Sequence, residues 1–177
     1  NLILNGQQTV DRLSFDLAGL GPQYGINVVQ AYAQAVDGAN KTLTLDSGEV
    51  LNYDSLIVSG GIDFVTDSFS QYDASLTPHA WIAGDQTLLL REQLNAMDDY
   101  GTVVLSIPKA PYRCPPGPYE RACIMANILG QRTGTLGPKR AGVNAPRVVV
   151  LDANADIIVE KETFGGAFEQ LYGNIIE

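Results

Sequence analysis

Five prolines and one cysteine in a single short segment most constrain what this chain can fold into. Thr102–Arg121 reads TVVLSIPKAPYRCPPGPYER, which is an uncharged β-branched run, a proline-rich loop and a helix start. Thr102–Ile107 therefore predicts a buried β-strand. Pro118 suits the first turn of a helix, and Glu120 suits the positive end of that helix. The segment predicts strand, loop and helix in that order.

The loop does not have the composition of a phosphate-binding loop. A dinucleotide-binding domain also uses strand, loop and helix, but its loop carries a glycine-rich run such as G-x-G-x-x-G. Proline has no N–H to donate to a phosphate, and it cannot adopt positive φ. The prolines stand at Pro108, Pro111, Pro115, Pro116 and Pro118. The loop therefore favours a rigid support for Cys114 over a pyrophosphate site.

A βαβ unit is predicted in the second half of the chain. Tyr119–Leu129 is predicted as a helix that ends at Gly130, and Val148–Leu151 as a second buried strand. Strand, helix and strand in this order are typical of a parallel sheet. Two further helices are predicted at Ala83–Met97 and Thr163–Tyr172, and a surface loop at Gln131–Pro146.

The first part of the chain is predicted to be rich in β-hairpins. Lys41–Asp46 alternates polar and apolar residues, and a Ser-Gly turn separates it from a return strand at Glu49–Asn52. Gly25–Gln30 and Ala31–Val36 predict two more short strands. The whole chain is therefore predicted to be α/β, with a parallel sheet and a hairpin-rich first part.

A short apolar run leads into three small residues. Leu56–Val58 is predicted as a buried strand, and Ser59, Gly60 and Gly61 follow it. Small residues after a strand let a cofactor or another backbone approach closely. An ordinary Gly-Gly turn has the same sequence, so this pattern leaves both interpretations open.

Composition excludes several classes of function. The 177 residues are 45% hydrophobic, which is enough for a packed core. The net charge of -9 argues against a nucleic-acid surface, which needs a basic face. No apolar run reaches the roughly 20 residues of a membrane helix. One histidine and two cysteines predict neither a metal site nor a disulfide scaffold.

Several segments resemble the flavoprotein subunit of flavocytochrome c sulfide dehydrogenase. They are PHAWIAGDQTLLLREQL, the proline–cysteine segment, VVVLDAN and FEQLYG. The wider group contains the sulfide:quinone oxidoreductases and disulfide reductases, which have two dinucleotide-binding-type (FAD/NAD(P)-type, Rossmann-like) domains. The resemblance implies that residues 1–80 are part of an FAD-binding domain. Residues 81–177 would be most of a second, degenerate NAD(P)-type domain, and the chain would be the middle of a longer protein.

The resemblance also implies roles for individual residues. Cys114 matches a cysteine that lies over the flavin and forms a redox disulfide, with its partner cysteine outside this chain. Glu120 matches an acid near the same site. Ser59, Gly60 and Gly61 match a segment that passes close to FAD, although many relatives have Thr where Gly60 stands.

The function implied is FAD-dependent oxidation of sulfide, with electrons passed to a c-type cytochrome subunit in the periplasm. The alternatives are a quinone-reducing sulfide oxidoreductase and a non-catalytic docking module with a degenerate nucleotide-binding fold. A pyridine-nucleotide disulfide reductase is disfavoured by the proline loop. These residues alone are expected to be inactive, because the phosphate loop and the second cysteine are not among them.

Each candidate residue also has a plainer interpretation. A single cysteine in a loop is often an inert packing residue, and Glu120 has the position of an ordinary N-terminal helix acid that could pair with Arg121 or Arg113. Cys123 is expected in the core. His79 is expected to be a capping or surface residue, and Asp152 a turn residue at the end of a strand.

Overall fold

The computed structural model describes residues 1–66 and 69–177, and it shows a mixed α/β protein. The described residues form two compact units, one made of Asn1–Leu13 with Asp73–Glu177 and the other of Ser14–Tyr72. The helices are α1 (Val10–Leu13), α2 (Leu20–Tyr24), α3 (Asp85–Ala96), α4 (Gly117–Thr133) and α5 (Lys161–Gln170). The strands are β1 (Ala33–Asp37), β2 (Thr42–Leu45), β3 (Val50–Asn52), β4 (Thr102–Ile107) and β5 (Arg147–Asp152).

The larger unit is built around the predicted βαβ unit. Strand β4 pairs with β5 in parallel, from Thr102 opposite Arg147 to Ile107 opposite Asp152. Val148 forms a further parallel bridge with Ile176, so that the last residues of the chain run beside β5. The predicted parallel sheet is confirmed, and the α/β fold class with it.

The parallel sheet is covered on one face. Val103 and Leu105 pack against the core, whereas Val104 is 56% exposed on the other face, as is Leu151 of β5. The prediction that Thr102–Ile107 is a strand is confirmed. The prediction that it is buried holds for one face only, because α4 packs on that face and no described element covers the other.

The core forms where α4 meets the sheet. The helix contributes Ala122, Met125, Ala126 and Leu129, which recur at the three- and four-residue spacing of one helix face. Their buried partners from other parts of the unit are Leu4, Leu94, Val148 and Ile175.

Helix α4 is longer than predicted. It runs through Gly130 to Thr133 and ends at Gly134, which has φ 69° and donates its N–H to the carbonyl of Gly130. Gly134 takes the left-handed conformation that stops helices. Gly130 instead stays helical. Leu136 and Ile175 fill the space that a side chain at this position would occupy.

The smaller unit contains the predicted hairpins as one three-stranded antiparallel sheet in the order β1-β2-β3. Two other predicted strands are wrong. Gly25–Gln30 does not form a strand, because Gly25 closes α2 in the left-handed conformation and the residues after it pair with no strand. Leu56–Val58 is not a buried strand either, since Ile57 is 91% exposed and the described residues offer this segment no pairing partner.

The two compact units do not correspond one to one with the predicted domains. The predicted domains are defined by nucleotide binding: an FAD-binding part over residues 1–80 and a second domain over residues 81–177. The two units are defined by packing instead. The domain assignment therefore stays a prediction. Among the described helices, none combines the length and the apolar character that crossing a membrane requires.

Replacing Gly130 by Ala should destabilise the larger unit. An added Cβ would stand 2.4 Å from Leu136 Cδ2 and 2.7 Å from Ile175 Cδ1, closer than carbon atoms pack. We expect a loss of about 1–3 kcal/mol in urea unfolding, because overpacking outweighs the gain in helix propensity. Gly165→Ala in α5 is the matched control, since its Cβ would meet no atom within 4 Å. Equal stability of both variants would contradict this packing.

Candidate functional site

Cys114 lies at the edge of the parallel sheet where ligands usually bind. The proline–cysteine loop leaves the carboxyl end of β4 at Ile107 and enters α4 at Gly117, and β5 ends beside it at Asp152. Parallel α/β sheets bind their ligands outside these carboxyl ends. The fold therefore places the cysteine loop at the carboxyl edge of the sheet, where α/β proteins bind ligands.

Asn154 fastens the loop to the end of β5. Its amide oxygen accepts the N–H of Ala110 at 2.9 Å, and its amide nitrogen donates to the carbonyl of Pro108 at 3.1 Å. The same nitrogen donates to Asp152 at 2.7 Å. One side chain thus holds both sides of the first loop turn, and Asp152 is the strand-end turn residue that the sequence predicts.

Tyr119 ties the start of α4 to the same point. Its ring is 1% exposed, and its hydroxyl donates to Asp152 at 2.7 Å and accepts the N–H of Ile158 at 3.3 Å. Phe164 packs against the ring with centroids 5.5 Å apart. The first turn of α4 is therefore fixed to the strand end by a buried hydroxyl.

The Tyr119–Asp152 pair has shifted pKa values. Burial first, and then the hydrogen bond to Asp152, raises the pKa of Tyr119 far above its usual value, so it stays a donor. Burial alone would raise the pKa of Asp152. Hydrogen bonds from the Asn154 N–H, Tyr119 and the Asn154 amide together hold that pKa below its usual range.

Cys114 itself is exposed and has a left-handed backbone. Its φ is 58°, its carbonyl accepts the N–H of Gly117 at 2.9 Å, and its thiol is free. A non-glycine residue in this conformation costs about 1–2 kcal/mol, and such strain is concentrated at functional sites. The loop thus presents an accessible thiol just before a 17-residue helix.

Trp81, which the sequence did not single out, lies near this thiol, and Arg121 stacks on its ring. A Cβ on Gly117 would lie 3.4 Å from Cys114 Sγ and 3.2 Å from Cζ3 of Trp81. The guanidinium of Arg121 stacks on the Trp81 ring, with Cζ 4.6 Å from the ring centroid. These residues complete the candidate site around Cys114.

Arg121 is a buried cation held by neutral groups. It is 3% exposed, and it donates to the carbonyl of Ala80 at 2.7 Å and to Oδ1 of Asn1 at 3.0 Å. Burial lowers its pKa to about 10, so it remains charged at neutral pH. No carboxylate lies within ion-pair distance of it in the part of the chain that the structure describes.

Glu120 is exposed in the first turn of α4 and accepts the side-chain amide of Asn1 at 3.2 Å. The suggested ion pairs with Arg121 and Arg113 are wrong, because Arg121 turns to Ala80 and Asn1, and no described ion pair includes Arg113. Its carboxylate therefore remains open to solvent beside the loop.

Ser59, Gly60 and Gly61 belong to the smaller unit. They are exposed and outside regular structure, and Gly61 has φ 74°. A Cβ on either glycine would meet no atom within 4 Å. The segment is thus an uncovered stretch of backbone, and its cofactor role stays a prediction.

The remaining candidates lie away from Cys114 or serve local structure. Cys123 is a free, half-buried thiol of α4, and burial first and then Glu120 raise its pKa to about 11. His79 accepts the backbone N–H of Trp81 at its Nδ1, 3.2 Å away, and so stabilises the turn before α3. No group of three or more histidine, cysteine or carboxylate side chains suited to a metal ion occurs among the described residues.

Comparison with protein families identifies the chain. The family model described as sulfide dehydrogenase (flavocytochrome c) flavoprotein chain, central, matches residues 87–177, which is just over half of the sequence. The chain belongs to this family. The predicted resemblance is confirmed, and the match includes Cys114 and Glu120, whereas Trp81 and Ser59–Gly61 precede it.

Membership implies a flavin cofactor, a cytochrome partner and a small-molecule substrate for the family as its description reads. The exposed Cys114 thiol, which lies within the matched residues, is compatible with a flavin next to it. The family protein is a flavin-linked oxidoreductase chain. The use of FAD, the disulfide and the electron acceptor are taken up below as proposals.

Tyr119→Phe should destabilise the larger unit in a pH-dependent way. Loss of the hydroxyl removes the hydrogen bonds to Asp152 Oδ2 and from the Ile158 N–H, so we expect a loss of about 1–3 kcal/mol at neutral pH. The hydrogen bond holds the pKa of Asp152 down, so its stabilisation is present above the ordinary carboxyl pKa and disappears as the pH falls through the lowered value. Urea unfolding at several pH values measures this. Tyr100→Phe, at an exposed ring, should change little, and a pH-independent loss in Tyr119→Phe would contradict the assignment.

Arg121→Met should raise the pKa of His79. Burial first and the charge of Arg121 second lower this pKa, and the substitution removes the charge. The chain has one histidine, so an NMR titration of its ring protons reports this group directly. Arg132→Met, at the other end of α4, is the matched control and should leave the titration unchanged. An unchanged His79 pKa in Arg121→Met would show that the two groups do not interact.

Proposed function

We propose that this chain carries the sulfur-reacting cysteine of an FAD-dependent sulfide dehydrogenase. The observation that supports this most directly is the exposed Cys114 thiol, held in a left-handed conformation at the carboxyl edge of the parallel sheet. It lies within the residues that match the family. A packing cysteine would be buried and relaxed, and Cys114 is neither.

The chemical step is an exchange at a disulfide. Cys114 would form this disulfide with a cysteine other than Cys123, because Cys123 is a free, half-buried thiol within α4. Hydrosulfide attacks one sulfur, a new S–S bond forms a persulfide, and the other cysteine leaves as a thiolate. The sulfide sulfur is oxidised, and the disulfide takes up the two electrons.

The scaffold around Cys114 serves this exchange by keeping the sulfur in place. Asn154 and Tyr119 fix the two ends of the loop to the end of β5, so the loop does not need to be ordered when substrate arrives. The start of α4 also points its positive end toward the loop, which attracts an incoming hydrosulfide anion. These are the contributions of the chain itself.

Glu120 is the proposed proton carrier of the site. Its carboxylate is exposed and accepts a hydrogen bond from the Asn1 amide, so it is accessible for taking a proton from the attacking sulfide. If it does so, Glu120→Gln should slow the reaction by about 100-fold or more. A plain helix acid at this position would leave the rate nearly unchanged.

The cofactor, the partner and the location complete the proposal. When bound, FAD would accept the two electrons from the released thiolate and would pass them on singly. Ser59, Gly60 and Gly61 would lie along it, as the resemblance implies. A c-type cytochrome subunit would accept the electrons, and the periplasm would be the compartment.

An anaerobic sulfide titration of the flavin-loaded protein tests the function. Sulfide should bleach the flavin absorption of the unsubstituted protein and leave that of Cys114→Ser unbleached, because the substituted side chain cannot form a disulfide. Cys123→Ser is the matched control and should bleach normally. Reduction with dithionite confirms that all samples carry the same flavin.

Two results would contradict the proposal. Equal bleaching in Cys114→Ser would leave flavin chemistry standing and reduce the cysteine loop to a scaffold. A protein that takes up no flavin, and that keeps every partner interaction in Cys114→Ser, would support the docking alternative instead.

A further inference from the structure

Trp81 and Cys114 border the same small volume at the start of α4. The place where a Cβ on Gly117 would stand lies 3.2 Å from Cζ3 of Trp81 and 3.6 Å from its Cη2. The sulfur of Cys114 lies 3.4 Å from the same place. The edge of the Trp81 ring and the sulfur therefore both border the space that the absence of a side chain at Gly117 leaves open.

Arg121 holds the ring in that position. Gly117 and Arg121 are four residues apart in α4, so they lie on the same helix face one turn apart. The Trp81 ring therefore contacts this face at both turns, at Gly117 by its edge and at Arg121 by its face, where a guanidinium stacks well. Trp81 is still 43% exposed, so these two contacts with α4 are what the structure offers to orient its ring.

Two hydrogen bonds fix the position of the Arg121 guanidinium. Ala80 O accepts from Nη2 at 2.7 Å, and Ala80 reaches this position through a backbone φ of 53°. Asn1 Oδ1 accepts from Nε at 3.0 Å. Burying a cation without a carboxylate is costly, so these two hydrogen bonds and the ring stack together compensate for the burial of Arg121.

We propose that Trp81 and Arg121 are positioning residues for Cys114. Arg121 holds the Trp81 ring beside the sulfur, where the ring forms a steric wall. The wall restricts the approach to an otherwise exposed sulfur from its own side, so it selects for small sulfur nucleophiles such as hydrosulfide over bulky thiols. The substrate preference rests on the proposed function, whereas the wall rests on the geometry alone.

Alkylation of Cys114 tests the wall without sulfide or flavin. The full chain carrying Cys123→Ala reacts with iodoacetamide as the small reagent and N-phenylmaleimide as the bulky one. The rate ratio of bulky to small reagent should rise about 10-fold in Trp81→Ala, because the wall is removed. Arg121→Met should raise the ratio in the same direction, and Arg121→Lys should restore it toward the original value.

Arg132→Met is the matched control. Arg132 lies in the last turn of α4 and also donates to backbone carbonyls, at Leu94 and Met97. It pairs with Asp99 at 2.9 Å. Its removal should leave the alkylation ratio unchanged, so a general loosening of α4 is distinguished from the loss of the wall.

Gly117→Ala provides a variant that keeps the clamp. Its methyl group would enter the volume between the ring edge and the sulfur, so alkylation by both reagents should slow. The single tryptophan of the chain reports the same change, since displacement of Trp81 should alter its fluorescence spectrum. If Arg121→Met does not fold, Trp81→Ala and Gly117→Ala still decide the matter.

An unchanged alkylation ratio in Trp81→Ala, together with unchanged rates in Gly117→Ala, would overturn the inference. Failure of the proposed function would give a different result. The alkylation ratio would still depend on Trp81, but sulfide would bleach the flavin equally in Cys114→Ser. With both established, Trp81→Ala should let a bulky thiol such as glutathione compete with sulfide for the disulfide.

Discussion

The packing of helix α4 against strand β5 is the constraint on which the larger unit depends. Four buried residues of α4, at the spacing of one helix face, meet Val148 of β5 and Ile175 beside it. Gly130 lets Leu136 and Ile175 approach the helix axis, which extends this contact to the last turn. Because interiors are close-packed and interdigitated, these contacts favour one position of the helix along the strand.

That one position determines where the helix begins, and therefore where the cysteine lies. With α4 seated on β5, its first turn reaches the carboxyl end of the sheet, where Tyr119 finds Asp152. The hydrogen bond joins the helix start to the strand end, and Asn154 extends the connection to the loop. The site thus takes its rigidity from the core, since the loop residues themselves are mostly exposed.

The sequence predicted those elements whose signals are local. The β-branched run of β4, the strand at Val148 and the hairpin around the Ser-Gly turn all formed, because pattern and turn chemistry act over a few residues. Leu56–Val58 failed because an apolar run becomes a strand only where a partner strand is available. The predicted end of α4 at Gly130 is too early. A glycine ends a helix only where it adopts the left-handed conformation, and here Gly134 adopts it and Gly130 does not. Trp81 and Arg121 could not be predicted as a pair, because their stack joins residues far apart in sequence.

The loop and the turn before α3 share one physical feature. Ala80 and Cys114 are both non-glycine residues with positive φ, and both lie next to Trp81 or to the glycine it touches. Neither conformation is favourable on its own. Each persists because stronger interactions require it: at Ala80 the carbonyl must meet the buried guanidinium of Arg121, and at Cys114 the loop must enter α4 at the point that Tyr119 fixes. The strain at both residues therefore follows from the packing of α4. Together the two strained residues keep the Cys114 sulfur exposed and the Trp81 ring near it.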